Sequence, residues 1–393
     1  MTATASDTTD TAAATDEGRE AERIARAGLS RVIEPGDPAA LATFDGMGPV
    51  EIWHRLQSGG PDVERWSARV AEARPEDELR HALKAHYRFV IPGDDEWPDQ
   101  IEVLADAGQL SRRGGVPFGL WVRGSADLRK LLEQSIAVVG ARACTPYGEH
   151  VAGELSAGLA DKGMTVVSGG AYGIDAAAHR GTLAASGTTI AVLACGVNVS
   201  YPKGNHALFD RILEKGLIVS ELPPGCSPTR LRFLARNRLI ASLSLGTVIT
   251  EAAVRSGALN TAGWAEQCGR PVLAVPGPIT SAKSEGSHLL VRERNALLVT
   301  SASDILEAVA PYGSHLAEPR RGPQRPSDGL TPDELRVLDA VPVVVPATLT
   351  SISRTAGLEP QVVKIALTHL ATANLVEPLA DRWRLSKSHR TNQ

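Results

Sequence analysis

Four residue classes are scarce or absent here, and each shortage removes a class of function. There are only four cysteines, Cys144, Cys195, Cys226 and Cys268, widely scattered and without a Cys-x-x-Cys pair. Neither a zinc cluster nor a disulfide framework is indicated, and free thiols in a reducing cytoplasm are expected. No apolar run exceeds strand length: Ser135 to Val139 and Thr188 to Leu193 fall far short of a bilayer span, and no basic-then-apolar segment opens the chain. An unsecreted protein off the membrane is expected. There is no basic excess either, since the formal net charge is -4, whereas a general polyanion binder carries an evident positive balance. Any nucleic-acid site must be local. Aromatic residues make up only 4%, which excludes a surface paved with stacking rings and leaves phosphate contacts to dominate such a site.

What remains is a globular composition, 43% hydrophobic and 22% charged over 393 residues, enough for two or three domains. Residues 1–18 hold almost no large apolar side chain and read as a disordered tail. Residues 19–86 show helix-like apolar spacing (Ile24, Leu29, Val32; Leu41, Phe44; Ile52, Trp53, Leu56) broken by Pro and Gly, a small helical domain. Within it Gly46-Met47-Gly48 precedes an apolar helix, either as a helix-hairpin-helix turn offering N–H groups to phosphate or as an ordinary inter-helix turn. From Leu131 to Val309 short apolar runs alternate with helix-length segments, the pattern of an α/β doubly wound, mainly parallel sheet. Its strands are expected at Ser135–Val139, Thr165–Ser168, Thr188–Leu193, Leu217–Ser220, Thr247–Thr250 and Pro271–Val275. Residues 311–329 are rich in Pro, Gly and charge, a linker. Residues 330–386 then give three helix starts and a hairpin, the order of a winged-helix domain. There Leu367, Leu370 and Ile365 are core-spaced and the cations are few: Lys364, His369, Arg382 and Arg384. Groove reading and protein interaction both stay open.

The strands' carboxyl ends carry the chemistry. The first runs into Gly140-Ala141-Arg142 and a helix start, an anion-friendly turn. A dinucleotide fingerprint would place glycine where Arg142 stands and an acidic residue after the second strand, which instead ends in Ser168-Gly169-Gly170, so a dinucleotide cofactor is disfavoured. Asp175 is placed to cap the following helix; Asp175 and His179, four apart, make either an acid-base pair or a cap with a packed histidine. Tyr201 and Lys203 follow the third strand. Arg232, Phe233, Arg236 and Arg238 follow the fourth in the densest cationic run of the chain, where Arg232 and Arg236 can share a helical face and Arg238 can turn to a structural carboxylate. Ser256 follows the fifth. In an open α/β sheet these loops converge on one crevice.

Gly140-Ala141-Arg142 with Tyr147-Gly148, Ser168 to Asp175, Tyr201-Pro202 with Asn205, Phe233 with Arg236 to Ala241, Glu251 with Ser256 to Leu259, and Val275-Pro276-Gly277 resemble, in order and spacing, the DNA-processing protein A (DprA/Smf) family. The match runs from about Ile91 to Val309. The resemblance implies a Rossmann-like fold with an N-terminal helical domain of SAM or helix-hairpin-helix kind and a C-terminal winged helix. It implies a non-enzymatic protein without cofactor or metal that binds single-stranded DNA, dimerises through the Rossmann-like domain and loads RecA recombinase during natural transformation. By motif position it assigns DNA contacts to Arg142, Lys203, Phe233, Arg236 and Arg238, with Ser168, Gly169, Gly170 and Ser256 as backbone or hydroxyl phosphate contacts. Two rivals are a nucleotide phosphoribohydrolase on a related sheet, whose Pro-Gly-Gly-x-Gly-Thr-x-x-Glu loop is absent here, and a regulator reading DNA through its winged helix.

Overall fold

The computed structural model describes residues 7–311 and 327–387, in two compact units within Met1–Ala317 and Glu318–Gln393. The linker expected over 311–329 falls mostly outside the described residues. In the first unit nine strands form one sheet: β1 (Tyr87–Val90), β2 (Leu120–Arg123), β3 (Ser135–Val139), β4 (Thr165–Ser168), β5 (Thr189–Val192), β6 (Leu217–Ser220), β7 (Thr247–Ile249), β8 (Val272–Ala274) and β9 (Leu297–Leu298). Their order is β1-β2-β6-β5-β4-β3-β7-β8-β9. The run from β6 to β9 is parallel throughout, and only β2 lies antiparallel to both of its neighbours. The six expected strands are β3 to β8, within a residue at each end. They were legible because both faces of the sheet are covered: Ile136 and Val138 pack with Leu155, Leu159 and Ile174, while Ala137 and Val139 pack with Leu239, Ile240 and Trp264. Burial on both faces makes a parallel strand an unbroken apolar run.

From β3 the chain winds outward through β4, β5 and β6, then crosses back to β7 on the other side of β3. The loops after β3 and β7 therefore part in opposite directions and leave an opening between them. Hydroxyl caps start the helices along this edge. Thr145 accepts from Gly148 N at 3.1 Å to open Pro146–Asp161, Thr229 from Arg232 N at 3.3 Å to open Arg230–Ser242, and Ser256 from Ala258 N at 3.3 Å to open Gly257–Gln267.

The helical segment is built into the same unit. Helix Asp7–Val32 packs Leu29 and Val32 against Phe44, Ile52, Trp53 and Leu56, and Ala27 against Phe89 and Trp121 of the sheet. At Gly28 any Cβ would stand 2.7 Å from the Trp53 ring, so glycine sets how closely helix Pro49–Ser58 approaches. The Gly46-Met47-Gly48 turn opens that helix, with Gly48 as its N-cap. The expected tail over 1–18 needs correction: residues 1–6 lie outside the described residues, but helix begins at Asp7. Ala12 to Ala14 are the strongest helix formers, and helix extends at little cost from a segment already anchored. The anchors are Arg23, which donates to Phe89 O and to Asp94 at 2.8 Å each, and Arg26, which donates to Phe118 O.

The second unit has helices Pro332–Ala340, Leu349–Ala356 and Pro360–Thr372 and an antiparallel sheet of β10 (Ala347–Thr348), β11 (Val376–Leu379) and β12 (Arg382–Leu385), in the order β10-β12-β11. A Thr331/Glu334 capping box starts the first helix, and Gly357 at φ +65 ends the second. Leu367 and Leu370 are buried, but Ile365, expected beside them, is exposed, because two residues along a helix is more than half a turn. No helix among the described residues is long and apolar enough to cross a membrane.

Two ionic ties seat helix Arg230–Ser242. Arg232 grips Glu34 of the helical segment through two bonds, at 2.8 and 2.9 Å. Arg238, wholly buried, is bidentate on Glu221 at 2.6 Å twice and also donates to Gly115 O. Burial pulls the Glu34 carboxyl upward, but the Arg232 bonds and the Arg69 and Arg113 charges outweigh it and hold the group below its ordinary value. Asp94 is depressed by the same balance against Arg23 and Arg19. A depressed folded value means that the stability is present in full above the ordinary 4.5 and 3.8 and is lost as pH falls through the lower folded values. Glu34→Gln should cost about 1 kcal/mol at neutral pH, and its thermal midpoint should converge on the parent's in acid; a gap that persists in acid would refute the tie. Arg238→Met should cost about 3–5 kcal/mol by urea unfolding, because it strands a buried carboxylate. Adding Glu221→Leu should recover most of that loss.

Candidate nucleic-acid interface

The opening between the β3 and β7 loops is a crevice of about 860 Å³. Arg142 enters it from the loop after β3, Arg230, Phe233 and Arg236 from the helix after β6, Arg255 and Ser256 from the turn after β7, and Lys283 from the loop after β8. Against these five cations the lining holds one carboxylate, Asp175. Arg142, Arg230, Arg255 and Lys283 have no ion-pair partner among the described residues. A locally basic cleft has thus formed in a chain of net charge -4.

Arg236 is the floor of the site. It is 6% exposed, and its Nη1 donates at 2.7 Å both to Gly169 O after β4 and to Val192 O at the end of β5. A Cβ on Gly169 would fall 2.0 Å from that nitrogen, so the guanidinium occupies the space a side chain there would need. Burial lowers the Arg236 pKa and raises that of Asp175, and each charge eases the other. Asp175 does not cap its helix: Gly173 holds that position, and the carboxylate accepts from Ala171 N at 3.4 Å, folding the glycine loop back on itself. His179 is packed away from the crevice. Its Nδ1 meets Thr189 Oγ1 at 2.7 Å, and burial, with the Arg236 charge, pushes its pKa down to about 3. Thr189 spends its proton on Val166 O, so the ring nitrogen donates and the imidazole is neutral. Glu251, buried behind the crevice, accepts from both the N and the Oγ1 of Thr145.

Phe233 lies between charges. The Arg142 guanidinium sits 4.4 Å from its ring centroid and that of Arg236 5.8 Å, while the Tyr201 ring is 5.7 Å away at 51°. The cation–π contact stations Arg142 at the mouth of the crevice without a carboxylate that would neutralise it.

The structure gathers Arg142, Phe233, Arg236 and Ser256 around this crevice and leaves the other candidates outside its lining. Lys203 is exposed on the turn that follows Tyr201, off the lining itself. Ser168 is fully buried and donates to Val138 O at 2.6 Å, so it ties strand to strand. Gly169 offers its carbonyl to Arg236, and Gly170, at φ +66, offers its carbonyl to Asn205 at 3.0 Å; both shape the loop from behind. Arg238 is corrected outright as a DNA contact: its guanidinium is consumed by Glu221 in the core, the structural carboxylate its position in the helix allowed. Arg232 is likewise committed, to Glu34. Sequence reasoning missed Arg230, Arg255 and Lys283. Their signal was available, for each stands in a loop or first turn after a strand's carboxyl end. In the second unit His369 pairs with Glu334 and Arg384 with Glu377, which leaves Lys364 and Arg382 unpaired among the described residues.

The family model for DNA recombination-mediator protein A matches residues 88–310. A putative DNA processing protein DprA of Mycobacterium tuberculosis is 44% identical over 365 residues, 92% of this chain and 93% of that relative. The DNA processing protein DprA of Streptococcus pneumoniae is 41% identical over 54% of this chain and 71% of its own length. The X-ray structure of DprA from Streptococcus pneumoniae matches with TM-score 0.60 at 31% identity, covering 74% of this chain and 99% of that one. With the sheet, its switch-point crevice and these matches in agreement, the chain belongs to the DNA recombination-mediator protein A family.

Proposed function

We propose that the chain binds single-stranded DNA in the switch-point crevice, without catalysis or cofactor, protects the strand and passes it to RecA recombinase in recombination and natural transformation, acting in the cytoplasm as a homodimer. The observation that carries this is the set of four unpaired cations converging on a crevice whose only carboxylate is buried beside Arg236. A polyanion that threads the crevice finds Arg142, Arg230, Arg255 and Lys283 for its phosphates and the exposed end of helix Gly257–Gln267 beside Ser256. At about 860 Å³ the crevice has room for a few nucleotides of one strand. On this reading Lys203, exposed on the adjoining loop, meets a strand that leaves the crevice. Binding is favoured over hydrolysis because no glutamate lines the crevice, and Glu251, which follows β7, is held by Thr145.

Arg142→Ala, titrated against oligo-dT by fluorescence anisotropy over a salt series, should weaken binding and reduce the logarithmic salt slope by about 0.7, one phosphate's share. Unchanged affinity with unchanged slope would exclude the crevice as the site. A chain ending at residue 329 should keep this binding; losing it entirely would move the function to the second unit.

A further inference from the structure

Two unfavourable features meet on one small hairpin. Its strands, Gln109–Leu110 and Arg113–Gly114, pair antiparallel through the two-residue turn Ser111-Arg112. Both turn residues lie in the left-handed region, at φ +53 and +58, where so short a turn favours Asn-Gly and a side chain at the second position is strained. The next residue, Arg113, is 8% exposed, and its Nε is sealed from solvent without an acceptor. Its guanidinium has neither hydrogen bond nor ion pair among the described residues. Glu34 feels the Arg113 charge, but Arg232 takes both of its oxygens and Arg69 stands 3.1 Å from one of them. Arg236 and Arg238, also buried, are met by carbonyls and a carboxylate. Burial without an acceptor is costly for a cation, so Arg113 is held ready for an anion that meets it from outside.

The hairpin is docked on both helices that wall the crevice. Asn237 donates to Asn260 at 3.2 Å and Asn260 to Ser111 Oγ at 3.0 Å, and both asparagines line the crevice. From helix Arg230–Ser242, Arg238 Nε donates to Gly115 O at 3.0 Å. On helix Gly257–Gln267, a Cβ at Gly263 would stand 2.9 Å from a Leu110 methyl. Arg112, exposed and without an ion-pair partner among the described residues, shares the turn whose other residue touches the crevice wall.

We infer that Arg112 and Arg113 form a phosphate station beside the crevice, met by a strand that leaves it past Asn260, an inference that rests on the DNA-binding reading of the crevice. Guanidinium forks match the oxygens of a phosphate, and an anion there satisfies donors that are unmet in the free protein. Arg112 reaches out from the turn, while the recessed Arg113 supplies a charge that salt screens less than a surface one. The strained turn then has a reason to keep arginine where glycine would be cheaper. The same donors suit a backbone phosphate or free inorganic phosphate; continuity with the crevice through Asn260 favours the backbone, and the test separates the two sources.

The test uses the full chain with a short oligo-dT that only fills the crevice, a long oligo-dT that extends beyond it, and inorganic phosphate. The double variant Arg112→Gly, Arg113→Met should bind the short strand as the parent does. On the long strand it should lose about tenfold, the value of one charge-assisted hydrogen bond, and its salt slope should fall by about 0.7, one phosphate's share. Without DNA its thermal midpoint should be no lower than the parent's, since the changes relieve a strained turn and remove an unmet charge; a structural arginine would show a drop, and that result would overturn the station. Arg112→Lys should keep most of the long-strand affinity, which ties the effect to charge. A midpoint that inorganic phosphate raises in the parent and not in the double variant, with no dependence on strand length, would support the station and assign it to free phosphate. Unchanged long-strand affinity with no phosphate effect, or an equal loss on both strand lengths, would overturn the station and leave the crevice standing. A parent that binds neither strand in a salt-dependent way would take down the crevice reading itself.

Discussion

A guanidinium removed from water must be met by acceptors on its donors, and helix Arg230–Ser242 buries two of them. Arg238 finds Glu221, and Arg236 finds the carbonyls of Gly169 and Val192. The second solution is the more consequential. It fixes the helix to the carboxyl ends of two neighbouring strands through carbonyl oxygens, and the one carboxylate of the lining, Asp175, offsets part of the charge that lies beneath Phe233 and Arg142. Carbonyl dipoles satisfy hydrogen bonds while leaving the net charge in place, as a carboxylate would not. The near side of the crevice depends on that choice. With Arg236 and Arg238 anchored inward, Arg230 and Phe233 are turned toward the opening, and Arg232 is left to reach Glu34.

This division of labour explains why the fold was more legible than the site. The strands announce themselves because a parallel strand buried on both faces must be apolar at every position, a local demand written in consecutive residues such as Ile136 to Val139. The helix starts were visible for a similar reason, with Thr145-Pro146 and Ser256-Gly257 carrying cap and first turn in adjacent letters. The fate of four arginines within nine residues is not local. Arg232 is decided by Glu34, 198 positions away, and Arg236 by carbonyls 67 and 44 positions away. Spacing along the helix indicated that Arg236 and Arg238 diverge, but which of them meets a carboxylate depends on what the sheet places opposite. Arg255 and Lys283 were overlooked for the opposite reason: isolated cations in loops carry no pattern of their own, and only the convergence of those loops gives them a common function.

The helical segment makes a related point about boundaries. Composition separates 19–86 from the sheet, yet Arg23, Arg26 and Arg31 donate to Phe89, Phe118 and Pro224 carbonyls, and Glu34 seats the helix that carries Phe233. Removal of this segment would expose Trp121 and Phe89 and release Arg232, so its contribution reaches the crevice through packing whether or not it touches a ligand.

An acidic protein holding a polyanion is a conflict only if charge is counted over the whole surface. At physiological ionic strength the screening length is about 8 Å, so carboxylates farther off contribute little at the crevice, while cations lining it act within that distance of any phosphate inside. On the proposed reading the excess of acid elsewhere has a use of its own: it opposes adventitious contact between the rest of the surface and nucleic acid, and favours the crevice where Arg142, Arg230, Arg255 and Lys283 meet. A uniformly basic protein would gain affinity everywhere and lose the means to present a strand in a single orientation. On the DNA-binding reading proposed above, holding one strand at one edge of one sheet is what would allow the strand to be handed on.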